Sequence, residues 1–343
     1  MNGEKQDMNS VSKNVVKETR FNGMYAYELN CDPYQAVILP KFGANLIAFR
    51  NVEKDYDFIR EPAIHEMEDF QQKPFLYGIP VLFPPNRLED GTFTFSGKVY
   101  HFPINEKSKN NHLHGFFHSA VWEVFKHGST DRECFIELVQ SVDEQSEVFR
   151  YFPHRFNVHL LYTLSKEGLN QQVKIINNGS ESMPLMIGFH TSIKAPFSKN
   201  STAEDYTLQL TIKDRVELNE RSLPTGNLLP LNEEEKKIAT EGFSPYYQPL
   251  DHHYVAQAQK DGKNRMVLTD QREKISLIYE TSSEFRFWML FNQDAKSGFF
   301  CPEPQTNMVN APNIALPFEQ TGMIELTGGS EWSAQSRLYT KPL

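Results

Sequence analysis

The 343-residue sequence has few cysteines, no basic cluster and no long apolar run, and each shortage excludes a class of protein. Its three cysteines, Cys31, Cys134 and Cys301, are odd in number and widely spaced, which argues against a disulfide framework. No CxxC pair indicates structural zinc, and no apolar run of about 18 residues predicts a membrane span. The net charge is −9 without a basic stripe, so nucleic acid and anionic membranes are poor partners. A neutral or weakly polar small molecule is the expected ligand.

The first residues are polar and of mixed charge. Met1 to Lys17 contains no apolar segment of the kind found in signal peptides, so the sequence predicts a cytoplasmic protein. We expect residues 1–18 to form a flexible arm. Because no linker rich in proline, glycine or serine divides the remainder, residues 19–343 are expected to form a single domain.

Aromatic residues and short apolar runs are abundant. Phenylalanine (26) and tyrosine (14) suit the half-buried surface of a pleated sheet. Strand-like runs recur along the chain, separated by turn residues such as Ser96-Gly97 and Lys166-Glu167-Gly168. The best helical segment, Asn232 to Ala239, is short and expected to be exposed. The pattern predicts an all-β fold, a large antiparallel β-sandwich.

One polar stretch whose residues could bind a ligand or take part in catalysis follows an expected strand over Gly78 to Phe83. Pro84-Pro85 ends that strand, because proline fixes φ and lacks an N–H donor, and Asn86-Arg87 comes next. A guanidinium at a strand end can bind hydroxyl groups. A solvated turn arginine is equally consistent with this segment.

A second stretch contains His112-Leu113-His114-Gly115. In a strand, the two histidines would point to the same face. Three interpretations stay open: a metal site begun by the His-x-His pair, a His114 that handles substrate or protons beside a close-approach glycine, or ordinary histidines at the edge of the core.

Three later polar residues complete the set of candidates. His190 follows an apolar strand and Gly188, a position where a lone histidine is more often structural. Glu303 lies between two prolines, which hold its backbone stiffly, as a catalytic base requires, although a glutamate at a loop rim would look the same. Asp251 opens a strand, and an exposed turn is expected for His252 and His253.

Taken in order, these stretches resemble the aldose 1-epimerase family, also called galactose mutarotases. The matching motifs are Asn86-Arg87, Leu113-His114-Gly115, His190, Asp251-His252-His253-Tyr254 and the proline-flanked Glu303. The early Gly43-Ala44 strand and the aromatic-proline segment Tyr151-Phe152-Pro153 agree with the same family. The resemblance extends from about Tyr25 to about Tyr339, nearly the whole chain.

This resemblance implies a galactose mutarotase-like supersandwich that interconverts the α and β anomers of a hexopyranose by opening the ring at C1. It implies that Glu303 is the general base on the anomeric hydroxyl, that His190 is the general acid on the ring oxygen, and that His114 lies near that oxygen. The residues implied to bind sugar hydroxyls are Asn86, Arg87 and Asp251. No metal, nucleotide or redox cofactor is expected, and the oligomeric state stays open.

The sequence departs from the family pattern around the expected pocket. Phe116-Phe117 stands where well-studied members usually have another glycine, and Thr191-Ser192 follows the histidine in place of an aromatic–asparagine pair. An aromatic strand, Phe285 to Phe291, replaces a more usual tyrosine–threonine–glycine stretch. Sugar rings stack on aromatic faces, for which Phe287, Trp288 and Phe291 are the candidates. Strand alternation would put Phe287 and Phe291 on one side and Trp288 on the other, and the first two are the expected stacking residues.

Three alternatives stay open. A hexose-6-phosphate 1-epimerase of the same fold would need a basic cluster, for which only Arg87 and Arg155 are available. A non-catalytic carbohydrate-binding protein would need the aromatic residues and Arg87, but not both His190 and Glu303. A metal-dependent β-barrel enzyme would be built on the His-x-His pair.

Overall fold

A computed structural model describes residues 14–343. The first ten strands are β1 (Val15–Phe21), β2 (Met24–Cys31), β3 (Tyr34–Leu39), β4 (Asn45–Asn51), β5 (Tyr56–Asp57), β6 (Val81–Leu82), β7 (Arg87–Glu89), β8 (Thr92–Phe95), β9 (Lys98–His101) and β10 (Asn111–Leu113). The next ten are β11 (Glu123–Ser129), β12 (Glu133–Val142), β13 (Phe156–Ser165), β14 (Gly168–Asn177), β15 (Met183–Leu185), β16 (Gly188–Phe189), β17 (Ile193–Lys194), β18 (Tyr206–Leu210), β19 (Ile212–Leu218) and β20 (Pro224–Pro230). The last seven are β21 (Asp251–Ala256), β22 (Lys263–Asp270), β23 (Ile275–Ser282), β24 (Phe287–Phe291), β25 (Phe299–Gln305), β26 (Ile324–Leu326) and β27 (Glu331–Pro342).

Helices are short and few in the described part of the chain. The α-helices are α1 (Met67–Gln72), α2 (Glu233–Thr240) and α3 (Phe318–Thr321). Single 3-10 turns lie at Ile64–Glu66, Pro74–Leu76, Glu147–Arg150, Ala203–Asp205 and Ala311–Asn313. Within residues 14–343, none of these helices combines the length and the apolar character that a membrane crossing needs.

Two eight-stranded sheets form the sandwich. One has the order β11-β12-β13-β14-β27-β23-β22-β18. The other has the order β20-β19-β21-β24-β25-β16-β6, with β17 also paired to β25. A five-stranded sheet, β1-β2-β3-β4-β5, adjoins them, and the strand pairs are antiparallel. The prediction of an all-β, antiparallel sandwich is confirmed.

Alternation of side chains explains how the sandwich closes. Along β13, buried and partly exposed residues alternate strictly from Phe156 to Ser165, as a strand with one face on the core requires. The buried side chains of both large sheets and of the five-stranded sheet join one hydrophobic cluster. A single domain over residues 19–343 stays a prediction.

The expected arm over residues 1–18 is only partly described. Residues 1–13 lie outside the described residues. Residues 15–18 of the expected arm instead belong to β1, which begins at Val15 and pairs with β2 along its whole length.

The predicted Ser96-Gly97 hairpin is present, because β8 and β9 pair on either side of these two residues. The predicted acidic helix is also present as α2, and the side chain of Asn232 caps it by accepting a hydrogen bond from Glu235 N. The expectation that α2 is exposed was wrong for one face. Glu235 and Ile238 are buried, and Glu235 is paired with Arg215.

A second, smaller apolar cluster fixes the segment that carries α1. Phe70 and Tyr77 are fully buried against Ala26 and Ile47 of the five-stranded sheet. Phe75, between them in sequence, packs against the same cluster while staying partly exposed. The segment therefore holds Phe75 at a defined place beside the sandwich.

Candidate active site

The expected base and acid lie side by side. Glu303 is in β25 and His190 follows β16, and these two strands pair at Gly188 and Gln305. His190 Nε2 lies 3.1 Å from Glu303 Oε1, and both side chains are almost fully buried. A Cβ on Gly188 would meet Gln305 Cγ and the Pro304 carbonyl oxygen at 3.0 Å, so glycine permits the close approach of the strands.

Burial shifts the two pKa values in opposite directions. It raises the pKa of Glu303 well above its usual range, and the Asp251 charge raises it further, whereas Arg87 opposes the rise. Burial also lowers the pKa of His190, because the imidazolium is poorly solvated there. Each charged form is disfavoured, so the two groups compete for one proton across a short contact.

His114 lies next to this pair. Its ring centroid is 5.2 Å from that of His190, with the planes nearly perpendicular. Burial holds the pKa of His114 well below its usual value, so the ring is neutral. The backbone at His114 has φ +65°, and its N–H donates to the Asn86 carbonyl oxygen at 2.9 Å.

The expectation that His112 and His114 point to the same face was wrong. Strand β10 ends at Leu113, and the left-handed φ of His114 turns that side chain away from the strand alternation. His112 Nδ1 instead lies 2.8 Å from the Pro103 carbonyl oxygen. Over residues 14–343, no three His, Cys, Asp or Glu side chains are grouped as metal ligands would be.

The three expected sugar-binding residues are brought together. Arg87 Nη1 lies 3.4 Å from Asn86 Oδ1 and 3.8 Å from Asp251 Oδ2. Asn86 is buried, the Arg87 side chain is 10% exposed and that of Asp251 is 41% exposed. These three residues form the polar edge of the site, along which side-chain exposure increases from Asn86 through Arg87 to Asp251.

Only one of the two expected stacking residues lies at the site. Phe291 is partly exposed, and its ring centroid lies 6.1 Å from that of His190. Phe287 shares that strand face but is 1% exposed and stacks on His253 at 5.3 Å. The structure therefore does not bring Phe287 to the site. Residues around Gly322 cover it, since a Cβ on that glycine would lie 2.9 Å from the Phe287 ring.

The exposed-turn interpretation of His253 was also wrong. Strand β21 begins at Asp251, so His253 lies inside the strand, opposite Met289, and is fully buried. Its Nε2 accepts a hydrogen bond from Val309 N at 3.2 Å. His252, on the other face, is partly exposed and approaches Glu235.

Sequence reasoning missed an aromatic wall of the site. Phe75 has ring centroids 4.8 Å from His114, 5.8 Å from His190 and 6.3 Å from His118. It lies in the 3-10 turn Pro74–Leu76, where no strand or helix periodicity marks it. Only the packing of the α1 segment places Phe75 there.

Two polar neighbours were missed as well. Gln305 Nε2 donates to Glu303 Oε2 at 3.3 Å, and Gln305 is fully buried. The sequence did contain a signal for Gln305, because residues two apart in a strand share a face and Gln305 is two residues from Glu303. Glu106 binds Arg87, with its carboxylate oxygens 3.0–3.1 Å from Nε. It lies in the loop between β9 and β10, where sequence gives no such signal.

The fold is an antiparallel β-sandwich, and the cluster places a buried histidine against a buried glutamate beside a set of polar and aromatic side chains. A model of the family described as aldose 1-epimerase matches residues 25–339. The chain belongs to the aldose 1-epimerase family.

Solved structures agree. A galactose mutarotase-like protein from Clostridium acetobutylicum matches with a TM-score of 0.92 and 31% identity, over 96% of this chain and 99% of that one. A putative aldose 1-epimerase from Escherichia coli K12 shares the fold, with a TM-score of 0.73 and 17% identity, over 93% of this chain and 99% of that one.

Among curated proteins, mouse galactose mutarotase is 22% identical over 209 residues, 58% of this chain and 57% of that protein. The chain spans about half the length of the curated relatives it matches.

Proposed function

We propose that this protein is an aldose 1-epimerase that interconverts the α and β anomers of a hexopyranose by acid–base opening of the ring at C1. The observation that carries this proposal is the buried contact of 3.1 Å between His190 Nε2 and Glu303 Oε1. A base and an acid with oppositely shifted pKa values lie together beside a polar edge suited to hydroxyl groups.

In the proposed reaction, the Glu303 carboxylate takes the proton of the anomeric hydroxyl. The one proton that the pair shares passes from Glu303 to His190 across their 3.1 Å contact when the sugar binds, which gives the carboxylate and the imidazolium that the reaction needs. His190 then gives this proton to the ring oxygen as the bond from C1 to that oxygen breaks, which leaves an open-chain aldehyde. Rotation about the C1–C2 bond presents either face of the carbonyl, and ring closure returns both protons by the reverse transfers. No metal, nucleotide or redox group takes part in these steps.

The remaining residues of the site have binding roles in this proposal. Neutral His114 lies beside His190 and can hydrogen-bond near the ring oxygen. Arg87 Nη1 and the Asp251 carboxylate are available to sugar hydroxyls. The partly exposed rings of Phe75 and Phe291 supply the apolar surface on which a pyranose packs.

A carbohydrate-binding protein without activity is less well supported. Such a protein would need the polar edge and the aromatic wall, but a buried carboxylate against a buried imidazole would cost stability without helping binding. The placement of His190 against Glu303 therefore favours an enzyme.

Polarimetry tests the proposal. Freshly dissolved α-D-glucose and α-D-galactose would be followed with the wild type, His190→Asn and the control His154→Asn. His154 is also buried but binds Tyr100. We expect the wild type to accelerate mutarotation, His190→Asn to lose roughly 10²–10⁴-fold, and folded His154→Asn to keep the activity. No acceleration of any neutral or phosphorylated aldose by the wild type would reject the proposal.

A further inference from the structure

The guanidinium of Arg87 is already occupied on one edge. Its Nε donates to both carboxylate oxygens of Glu106, at 3.1 and 3.0 Å, and its Nη2 donates to Oε1 at 3.1 Å. Only Nη1 points elsewhere, towards Asn86 Oδ1 and Asp251 Oδ2. Arg87 can therefore offer one donor group to a ligand, but not the two-pronged fork that holds a phosphate.

Glu106 is itself held in place. Asn111 Nδ2 donates to Glu106 Oε2 at 3.0 Å, and the two residues exchange backbone hydrogen bonds of 3.0 and 3.2 Å. Asn111 is fully buried, and Arg221 Nη2 donates to its Oδ1 at 3.3 Å. With its side chain only 14% exposed, the Glu106 carboxylate is not free to turn away from Arg87.

The charges around the site then sum to an acidic surface. Glu106 cancels the charge of Arg87, while Asp251 adds a further negative charge close by. The neighbouring histidines add no positive charge, because burial lowers the pKa of His114 and of His190.

Other cations near this end of the sandwich are engaged as well. Arg60 lies between the rings of Tyr77 and Phe299, 4.1 Å from each centroid. Lys73 is paired with Asp69 at 3.0 Å. Neither of these two cations is free to compensate the charge of a phosphorylated sugar, which would meet the negative charge of Asp251.

We propose that Glu106 is a specificity-determining residue, which neutralises Arg87, aims its free nitrogen at a hydroxyl group and restricts the site to uncharged sugars. This inference rests on the proposed epimerase function, and it assigns a task to a residue outside the acid–base pair. Removing the Glu106 charge would expose a full cation to the ligand and weaken discrimination against phosphate.

The test compares galactose with galactose 6-phosphate as substrates at low ionic strength, where charge effects are least screened. Glu106→Gln removes the charge and keeps the shape, and Glu106→Asp keeps the charge. Glu61→Gln is the matched control, since Glu61 is an 18% exposed partner of Arg50 outside the site. We expect the ratio of kcat/KM for phosphorylated over neutral sugar to rise at least tenfold in Glu106→Gln, and to stay near the wild-type value in the other two variants.

An unchanged ratio in folded Glu106→Gln, or a wild type that prefers the phosphorylated sugar, would overturn the inference while leaving the epimerase proposal intact. If the wild type acts on no sugar, the proposed function fails, and inorganic phosphate then decides the inference by calorimetry. Phosphate should bind Glu106→Gln at least tenfold more tightly than it binds the wild type. Equal affinities would overturn the inference in that case too.

Discussion

Gly115 sets the position of the neighbouring His114, and an alanine there should disturb both stability and the site. Gly115 has φ +65°, and a Cβ would lie 2.0 Å from the carbonyl oxygen of Phe83. The left-handed conformation alone costs an L-residue roughly 1–2 kcal/mol. Because the obstructing atom is backbone, the chain must also move, and we expect Gly115→Ala to lower the free energy of unfolding by about 3–5 kcal/mol in all.

Gly97 provides the matched control for this substitution. It has φ +77° in the β8–β9 hairpin, but a Cβ there would meet no atom within 4 Å. Gly97→Ala therefore carries only the conformational cost of about 1–2 kcal/mol. The difference between the two variants isolates the close approach of Gly115 to Phe83.

Urea unfolding followed by circular dichroism measures the stability, and mutarotation per folded molecule measures the site. We expect folded Gly115→Ala to lose more than about tenfold in rate, within the range that a misplaced catalytic group costs, while Gly97→Ala keeps its activity. Equal losses of stability in the two variants would refute the argument from the close approach. Full activity in folded Gly115→Ala would refute the role given to the position of His114.

Three other substitutions test the electrostatics and walls of the site. Asp251→Asn removes a charge that raises the pKa of Glu303, so the acidic limb of kcat/KM against pH should move to lower pH; a shift to higher pH would contradict this. Phe75→Leu should raise KM roughly tenfold through loss of the ring beside His114, whereas Phe125→Leu, exposed elsewhere, should not change it. Because the pKa of Glu303 is raised in the folded state, its contribution to stability is present at low pH and is lost as pH rises through that value. Glu303→Gln should therefore raise the urea midpoint at pH 8 but not at pH 4, and an equal gain at both would contradict the shift.

Long, locally patterned elements were predictable from sequence. Strands β13 and β14 alternate buried and exposed residues around a glycine turn, and a capping asparagine marks α2. The bounds of short strands between prolines were not predictable from sequence. The strand expected over Gly78 to Phe83 forms only β6, Val81–Leu82, because the flanking prolines cannot donate to a ladder.

Those residues of the site that lie in recognisable sequence motifs could be predicted. The order of the motifs pointed to Glu303, His190 and Arg87, which the structure brings together. Phe75 and Glu106 reach the site from loops, and their places depend on tertiary contacts that leave no periodic trace. Strand alternation placed Phe287 on the same face as Phe291. It could not show that the segment around Gly322 covers Phe287, because that contact too is tertiary.

Exchange NMR at equilibrium tests the central claim most directly, because it reports interconversion of α- and β-galactose without any net reaction. The wild type should produce strong exchange cross-peaks between the two anomeric protons, and Glu303→Gln should return them to the level of buffer alone. Glu106→Asp, which keeps every charge of the site, should retain the exchange. Equal cross-peaks with wild type and Glu303→Gln would contradict the assignment of the base, and their absence with the wild type would contradict the epimerase itself.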